Sequence, residues 1–115
     1  MKKFFYGFQY AWQGIRYAFK TQINFRFHSL AAIFAVSMGF YFKIQTYEWL
    51  WILAVIAMVF ISELFNTALE VLVDLVSPDY HVKAGVIKDL SSGAVLFTAF
   101  FAFVTGLLIF IPKIF

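Results

Sequence analysis

The chain has 115 residues, 63% of them hydrophobic and 23% aromatic, with 13% charged and a formal net charge of +3. That composition lies far from the soluble mixture and points to an all-α integral membrane protein forming one domain over residues 1–115. The absence of cysteine excludes disulfide and thiol chemistry, and the two histidines, His28 and His81, are too far apart in sequence to suggest a zinc site.

Residues 1–28 carry Lys2, Lys3, Arg16, Lys20 and Arg26 and no acid. Phe5, Phe8, Trp12, Ile15 and Phe19 recur at helical spacing, the pattern of an N-terminal amphipathic helix lying among lipid headgroups over about residues 1–25. Interleaved basic and aromatic residues also occur in nucleic-acid binding, but the three apolar runs that follow make headgroups the expected partner and no nucleic acid is expected. No secretory pattern opens the chain, so its N-terminus is expected to be retained.

Between Arg26 and Lys43 lie 16 residues without Lys, Arg, Asp or Glu, short of the roughly 20 that a span wants. Snorkelling basic side chains at both ends and the anchors Tyr41, Tyr47 and Trp49 make up the difference, giving a first span over about 27–43. The short connector favours an antiparallel second span over about 49–76. A polar connector containing Ser77-Pro78-Asp79 has turn chemistry, and a third span follows over about 89–111, with Pro112 and Lys113 expected to end it. Ser91, Ser92, Gly93 and Ala94 at its start are small enough to let another helix approach closely.

Basic residues crowd the N-terminal segment and the second connector (Lys83, Lys88), while the opposite side has Lys43 and Lys113, so the N-terminus is expected to be cytoplasmic and the C-terminus outside.

The second span is anomalous. Glu63, Asn66, Glu70 and Asp74 fall within about 80° of one another at 100° per residue, making one polar stripe on an otherwise apolar helix. Glu63 sits about 21 Å from Trp49 along the helix, inside a hydrocarbon core roughly 30 Å thick, and Asp74 is roughly 16 Å further, at or past the interface. An acid at mid-bilayer costs roughly 2.5 to 3.5 kcal/mol, so the stripe must face protein or water rather than lipid. Three spans enclose little, and oligomerisation is expected.

Carboxylates, an amide, lysines and a histidine gathered where bilayer meets cytosol suit a hard cation with phosphate. Mg²⁺ is usually held by one or two carboxylates plus substrate phosphates, and phosphoryl transfer needs positioning and charge neutralisation. No Walker loop or soluble kinase signature is present, so a kinase here would use another scaffold.

Glu63-(x)2-Asn66-(x)3-Glu70-(x)3-Asp74, followed by Tyr80-His81 and Lys88-Asp89, resembles the prokaryotic diacylglycerol kinase family, which includes the undecaprenol kinases of Gram-positive bacteria. Trp12-Gln13-Gly14-Ile15-Arg16 and Asn24-Phe25-Arg26-Phe27-His28 are similar to its surface-helix segment. The resemblance spans nearly the whole chain. It implies a homotrimer in the bacterial inner membrane, a surface helix plus three transmembrane helices per subunit, active sites shared between neighbours at the cytosolic face, and ATP and Mg²⁺ as co-substrate and cofactor.

On that resemblance Glu63 is the general base for the lipid hydroxyl, Glu70 a magnesium ligand, and Asn66 a residue that orients phosphate or lipid. Tyr10, Asp74, Tyr80, His81, Lys88 and Asp89 match nucleotide-proximal positions, and Lys3 a further surface-helix contact. One position departs from the pattern: the family's metal-binding glutamate is replaced by Gln22, whose amide oxygen coordinates without negative charge and would hold a second magnesium more weakly.

The leading expectation is a kinase that phosphorylates undecaprenol. Its alternatives are a diacylglycerol kinase making phosphatidic acid, a degenerate member that binds lipid or nucleotide without catalysis, and a small ion or proton channel lined by the acids.

Overall fold

The computed structural model describes residues 2–115. It is all-helical: α1 spans Lys2–Thr21, α2 Ile23–Phe42, α3 Thr46–Val76 and α4 Val82–Ile114, and α2, α3 and α4 are each long and apolar enough to cross a membrane.

The boundary between α1 and α2 is one residue, Gln22, whose extended backbone (φ −112°, ψ 112°) interrupts the helical run. The elbow satisfies its own polar groups. The Gln22 amide donates to Ala18 O (2.9 Å), and the Arg26 guanidinium donates to the last carbonyls of α1, Phe19 O (2.8 Å) and Lys20 O (3.1 Å). Ala18 is fully buried inside the bend, where Phe25 sits edge-on to Phe19 and packs against Phe60 of α3. The other described side chains of α1, its aromatic residues included, are exposed.

At the other end of α2 the backbone turns through Lys43, which adopts the left-handed conformation (φ 50°) while its amide reaches Gly39 O and Phe40 O. The chain then enters α3 through a capping box. Gln45 caps the first turn, and its own amide donates to Glu48 Oε1 at 2.9 Å. Gly39 lets α2 approach the Trp49 indole closely, since a Cβ there would come within 2.6 Å of the ring.

Helices α3 and α4 form the tightest pair and are cross-linked at three levels. Glu48 Oε2 meets Lys113 Nζ (2.9 Å) at one end, Ser62 meets Thr98 between hydroxyls (2.9 Å) midway, and Asp74 Oδ1 meets Lys88 Nζ (2.7 Å) at the other end. The three rungs share one antiparallel register. An apolar cluster of Ile44, Ile52, Ile109 and Phe110 closes the Glu48 end.

Helix α4 begins at Val82, eight residues before the charge-free run opens at Leu90, because His81 caps it: Nδ1 accepts from the Lys83 amide at 3.1 Å. Pro112 does not end α4 but lies in its last turn, where the missing N–H forfeits a single bond and the helix continues to Ile114.

The chain measures 52 × 42 × 20 Å with a radius of gyration of 17.0 Å, well above the roughly 13 Å of a compact domain of this length. It is a thin slab whose apolar side chains face outward on most of its surface.

Candidate active site

The polar stripe of α3 lies where α2, α3 and α4 come together. Glu63 is 1% exposed, and neither carboxylate oxygen has a hydrogen-bond partner among the described residues. The hydroxyl of Thr67 does not help, since it donates back to the Glu63 carbonyl at 2.9 Å. Among the described residues the ionisable side chain in contact is His28 of α2, whose Nε2 stands 3.4 Å from Glu63 Oε1, beyond good hydrogen-bond geometry. An ionised carboxylate in this position carries a penalty of several kcal/mol, which a fold retains only if something else uses the group.

One turn along, Asn66 is buried and its Nδ2 donates to Glu70 Oε1 at 3.2 Å, while its Oδ1 is buried without a partner. The Asn66 side chain therefore has a buried acceptor oxygen without a partner, as the Glu63 carboxylate has two. Glu70 is half-buried and Asp74 is exposed, so the stripe grades from dry to wet along α3.

Beyond Asp74 the geometry is that of an ion pair at the protein surface. Lys88 bonds to Asp74, which brings the opening turns of α4 onto the last turns of α3. Because the Nδ1 of His81 accepts a backbone proton, neutral His81 carries its own proton on Nε2, which is left to donate outward. Tyr80 is 89% exposed and Asp89 is exposed beside Lys88. Neither they, Tyr10, Lys3 nor the Gln22 side chain forms a hydrogen bond or ion pair among the described residues, whereas Asn66 is joined to Glu70 and Asp74 to Lys88, Glu63 lies beside His28 midway along the α3/α4 pair, and His81 bonds to the Lys83 amide. Gln22 sits at the elbow between α1 and α2.

No three His, Cys, Asp or Glu side chains converge into a metal cage among the described residues. The donor set nonetheless fits Mg²⁺, which uses one or two carboxylates and fills its remaining positions with phosphate and water: Glu70 and the orphaned Asn66 Oδ1 are hard oxygen donors one helical turn apart.

His28 has no assigned role in the sequence reading. Its approach to Glu63 depends on how α2 packs across α3, and the sequence holds no local signal of that packing. Thr98 offered more, as the first polar side chain met in the apolar run after Gly93, yet its pairing with Ser62 follows only from the α3/α4 register.

The sequence pattern of prokaryotic diacylglycerol kinase matches residues 9–110. The chain is 39% identical over 114 residues to an undecaprenol kinase of Bacillus subtilis, covering 99% of this chain and 93% of that protein. It is 37% identical over 108 residues to a diacylglycerol kinase of Synechocystis, covering 93% of this chain and 62% of that protein. With a diacylglycerol kinase of Escherichia coli K12 it shares 30% identity over 96 residues, 84% of this chain and 79% of the other.

Proposed function

Because the chain belongs to the prokaryotic diacylglycerol kinase family and is a membrane lipid kinase, we propose that it transfers the γ-phosphate of ATP to the hydroxyl of undecaprenol. The observation that carries the chemistry is the Glu63 carboxylate, buried and unpartnered among the described residues, at the dry end of a polar track that reaches the surface at Asp74. The choice of lipid is supported by the relative named undecaprenol kinase, which aligns over 99% of this chain. Relatives named diacylglycerol kinase support the alternative acceptor, diacylglycerol, with phosphatidic acid as product.

In this reading Glu63 takes the proton of the lipid hydroxyl as the oxygen attacks the γ-phosphorus, and ADP leaves. Asn66 orients the transferred phosphate through its second Nδ2 proton, and its unpartnered Oδ1 would be a ligand for Mg²⁺. Glu70, joined by Asn66 and weakly by Gln22, would hold Mg²⁺, which supplies charge neutralisation of the phosphates when bound. Lys88 and the Nε2 proton of His81 are donors for nucleotide phosphate, Asp74 holds Lys88 in place at 2.7 Å, and Tyr10, Tyr80 and Asp89 border the nucleotide.

The thin, open shape of one chain supports assembly as a homotrimer with sites shared between neighbours. The basic residues of α1 and of the α3–α4 connector support an inner-membrane orientation with α1 on the cytosolic surface, where ATP is available.

The test is direct. Purified protein in lipid nanodiscs is given ATP, Mg²⁺ and either undecaprenol or diacylglycerol, and the phosphorylated lipid is resolved by chromatography. Undecaprenyl phosphate as the faster product supports the proposal, phosphatidic acid as the faster product selects the alternative, and phosphate on neither lipid defeats both.

A further inference from the structure

A general base works again only after it has lost the proton it took, and Glu63 is poorly placed to lose one. Its side chain is 1% exposed, and neither carboxylate oxygen has a hydrogen-bond partner among the described residues. Along its own helix the next acid is Glu70, two turns away, and the residue between them that bonds to Glu70 is Asn66, an amide that does not titrate. Toward α4, the hydroxyl of Ser62 is already paired with Thr98 at 2.9 Å.

His28 differs from these neighbours. Its Nε2 stands 3.4 Å from Glu63 Oε1, its side chain is 18% exposed, and a neutral imidazole keeps one ring nitrogen free to take a proton. Contacts between a base and its partner often tighten when substrate binds, so this separation is within reach of proton transfer. The ring also has a wet side. Asn24 lies one helical turn nearer the α1–α2 elbow on the same face of α2 and is exposed, as is Arg26, whose guanidinium is turned onto the carbonyls of Phe19 and Lys20. The other side is dry. There His28 borders a half-open groove of about 510 Å³ between α2 and α4, in which small residues such as Ala35, Ala102 and Gly106 leave space and no other lining side chain takes a proton.

We propose that His28 is the proton relay that returns Glu63 to its carboxylate form, accepting the proton on Nε2 and releasing it to water on the Asn24 side. The inference rests on the lipid-kinase reading above and adds the step that completes its cycle. In phosphoryl transfer the lipid O–H bond breaks and its proton passes to Glu63. The freed electron pair bonds to the γ-phosphorus, and the bond from that phosphorus to the β–γ bridging oxygen breaks, releasing ADP. Glu63 Oε1 then hands the proton to Nε2 of His28, which requires that the neutral ring carry its own proton on Nδ1. The imidazolium loses the transferred proton to water, and carboxylate and neutral imidazole are restored. Each turnover thus yields phosphorylated lipid, ADP and one proton, and the proton leaves by His28.

Rescue by added bases separates a relay from a structural contact. Phosphorylation of undecaprenol or diacylglycerol, whichever wild type uses, is measured in phosphatidylcholine nanodiscs for wild type, His28→Ala and His28→Gln. Both variants lose about a hundredfold in kcat, the lower end of what a proton-transferring side chain contributes, while the KM for ATP stays at the wild-type value. Imidazole in the medium raises kcat of His28→Ala several-fold, whereas pyrazole, a ring of the same size and far weaker basicity, leaves it unchanged. His28→Gln, with its space filled, responds to neither. A kcat of His28→Gln within about tenfold of wild type overturns the relay. So does a His28→Ala that imidazole fails to restore or that pyrazole restores equally. Where a variant at position 28 does not fold, judged by its unfolding midpoint, ring-nitrogen NMR of wild type and Glu63→Gln decides. The chain has two histidines, and the Nε2 signal of one of them moves when the carboxylate is removed; two unmoved signals overturn the proposal. A wild type that phosphorylates neither lipid defeats the kinase reading and this inference with it, whereas an active wild type whose variants fail these expectations defeats the relay alone.

Discussion

Replacing Glu63 by glutamine keeps the side chain's size and removes its charge. The two carboxylate oxygens are buried without a partner in a residue 1% exposed, a site that disfavours charge, where an anion would cost several kcal/mol and an unpaired amide costs about 1–3 kcal/mol. Because a buried carboxyl can take up a proton instead, that difference is an upper bound, and Glu63→Gln is predicted to be as stable as wild type or more stable. Removing a general base predicts a loss of about 10²–10⁴ in kcat. Stability is read from thermal unfolding of the purified protein in nanodiscs, and kcat from the lipid kinase assay with KM values determined separately. An inactive Glu63→Gln at least as stable as wild type meets both expectations. A variant that keeps kcat within about tenfold of wild type removes Glu63 from proton abstraction. A variant less stable than wild type means that the carboxylate has a partner in the assembled protein, and the energetic argument for a retained functional acid then fails.

Three further outcomes follow from other residues. Gly39→Ala places a Cβ 2.6 Å from the Trp49 ring and should destabilise by about 1–3 kcal/mol through overpacking, seen as a lower unfolding midpoint that the double variant Gly39→Ala/Trp49→Leu restores. Glu70→Ala should abolish Mg²⁺-supported turnover while leaving the unfolding midpoint near that of wild type, because Glu70 is half-buried and bonded only to Asn66; activity equal to wild type would exclude it as a metal ligand. Gln22→Glu adds a carboxylate at the elbow and should lower the Mg²⁺ concentration for half-maximal activity several-fold, measured by metal titration at saturating ATP; an unchanged titration means that position 22 does not reach the metal.

Much of the framework was legible in the order of residues. The three apolar runs, the stripe on α3 and the turn after Ser77 are local patterns, fixed by the 3.6-residue period and by the chemistry of single side chains, and they needed no tertiary information. Boundaries were less legible where a cap or an elbow decides them. Helix α4 starts at Val82 because His81 turns its imidazole onto the Lys83 amide, and Pro112 is absorbed in a final turn that has few bonds left to lose.

The sequence by itself determined that Glu63, Asn66, Glu70 and Asp74 share one helix face and that Glu63 lies well inside the apolar run, since both follow from spacing along a single helix. Only the tertiary structure decided what faces that stripe. The register of α3 against α4 pairs Asp74 with Lys88 and Ser62 with Thr98, the crossing of α2 brings His28 to Glu63, and small residues on α2 and α4 leave a groove that ends at that histidine. These contacts join residues 14 to 36 positions apart, and the packing of side chains between helices, to which no local period refers, sets them.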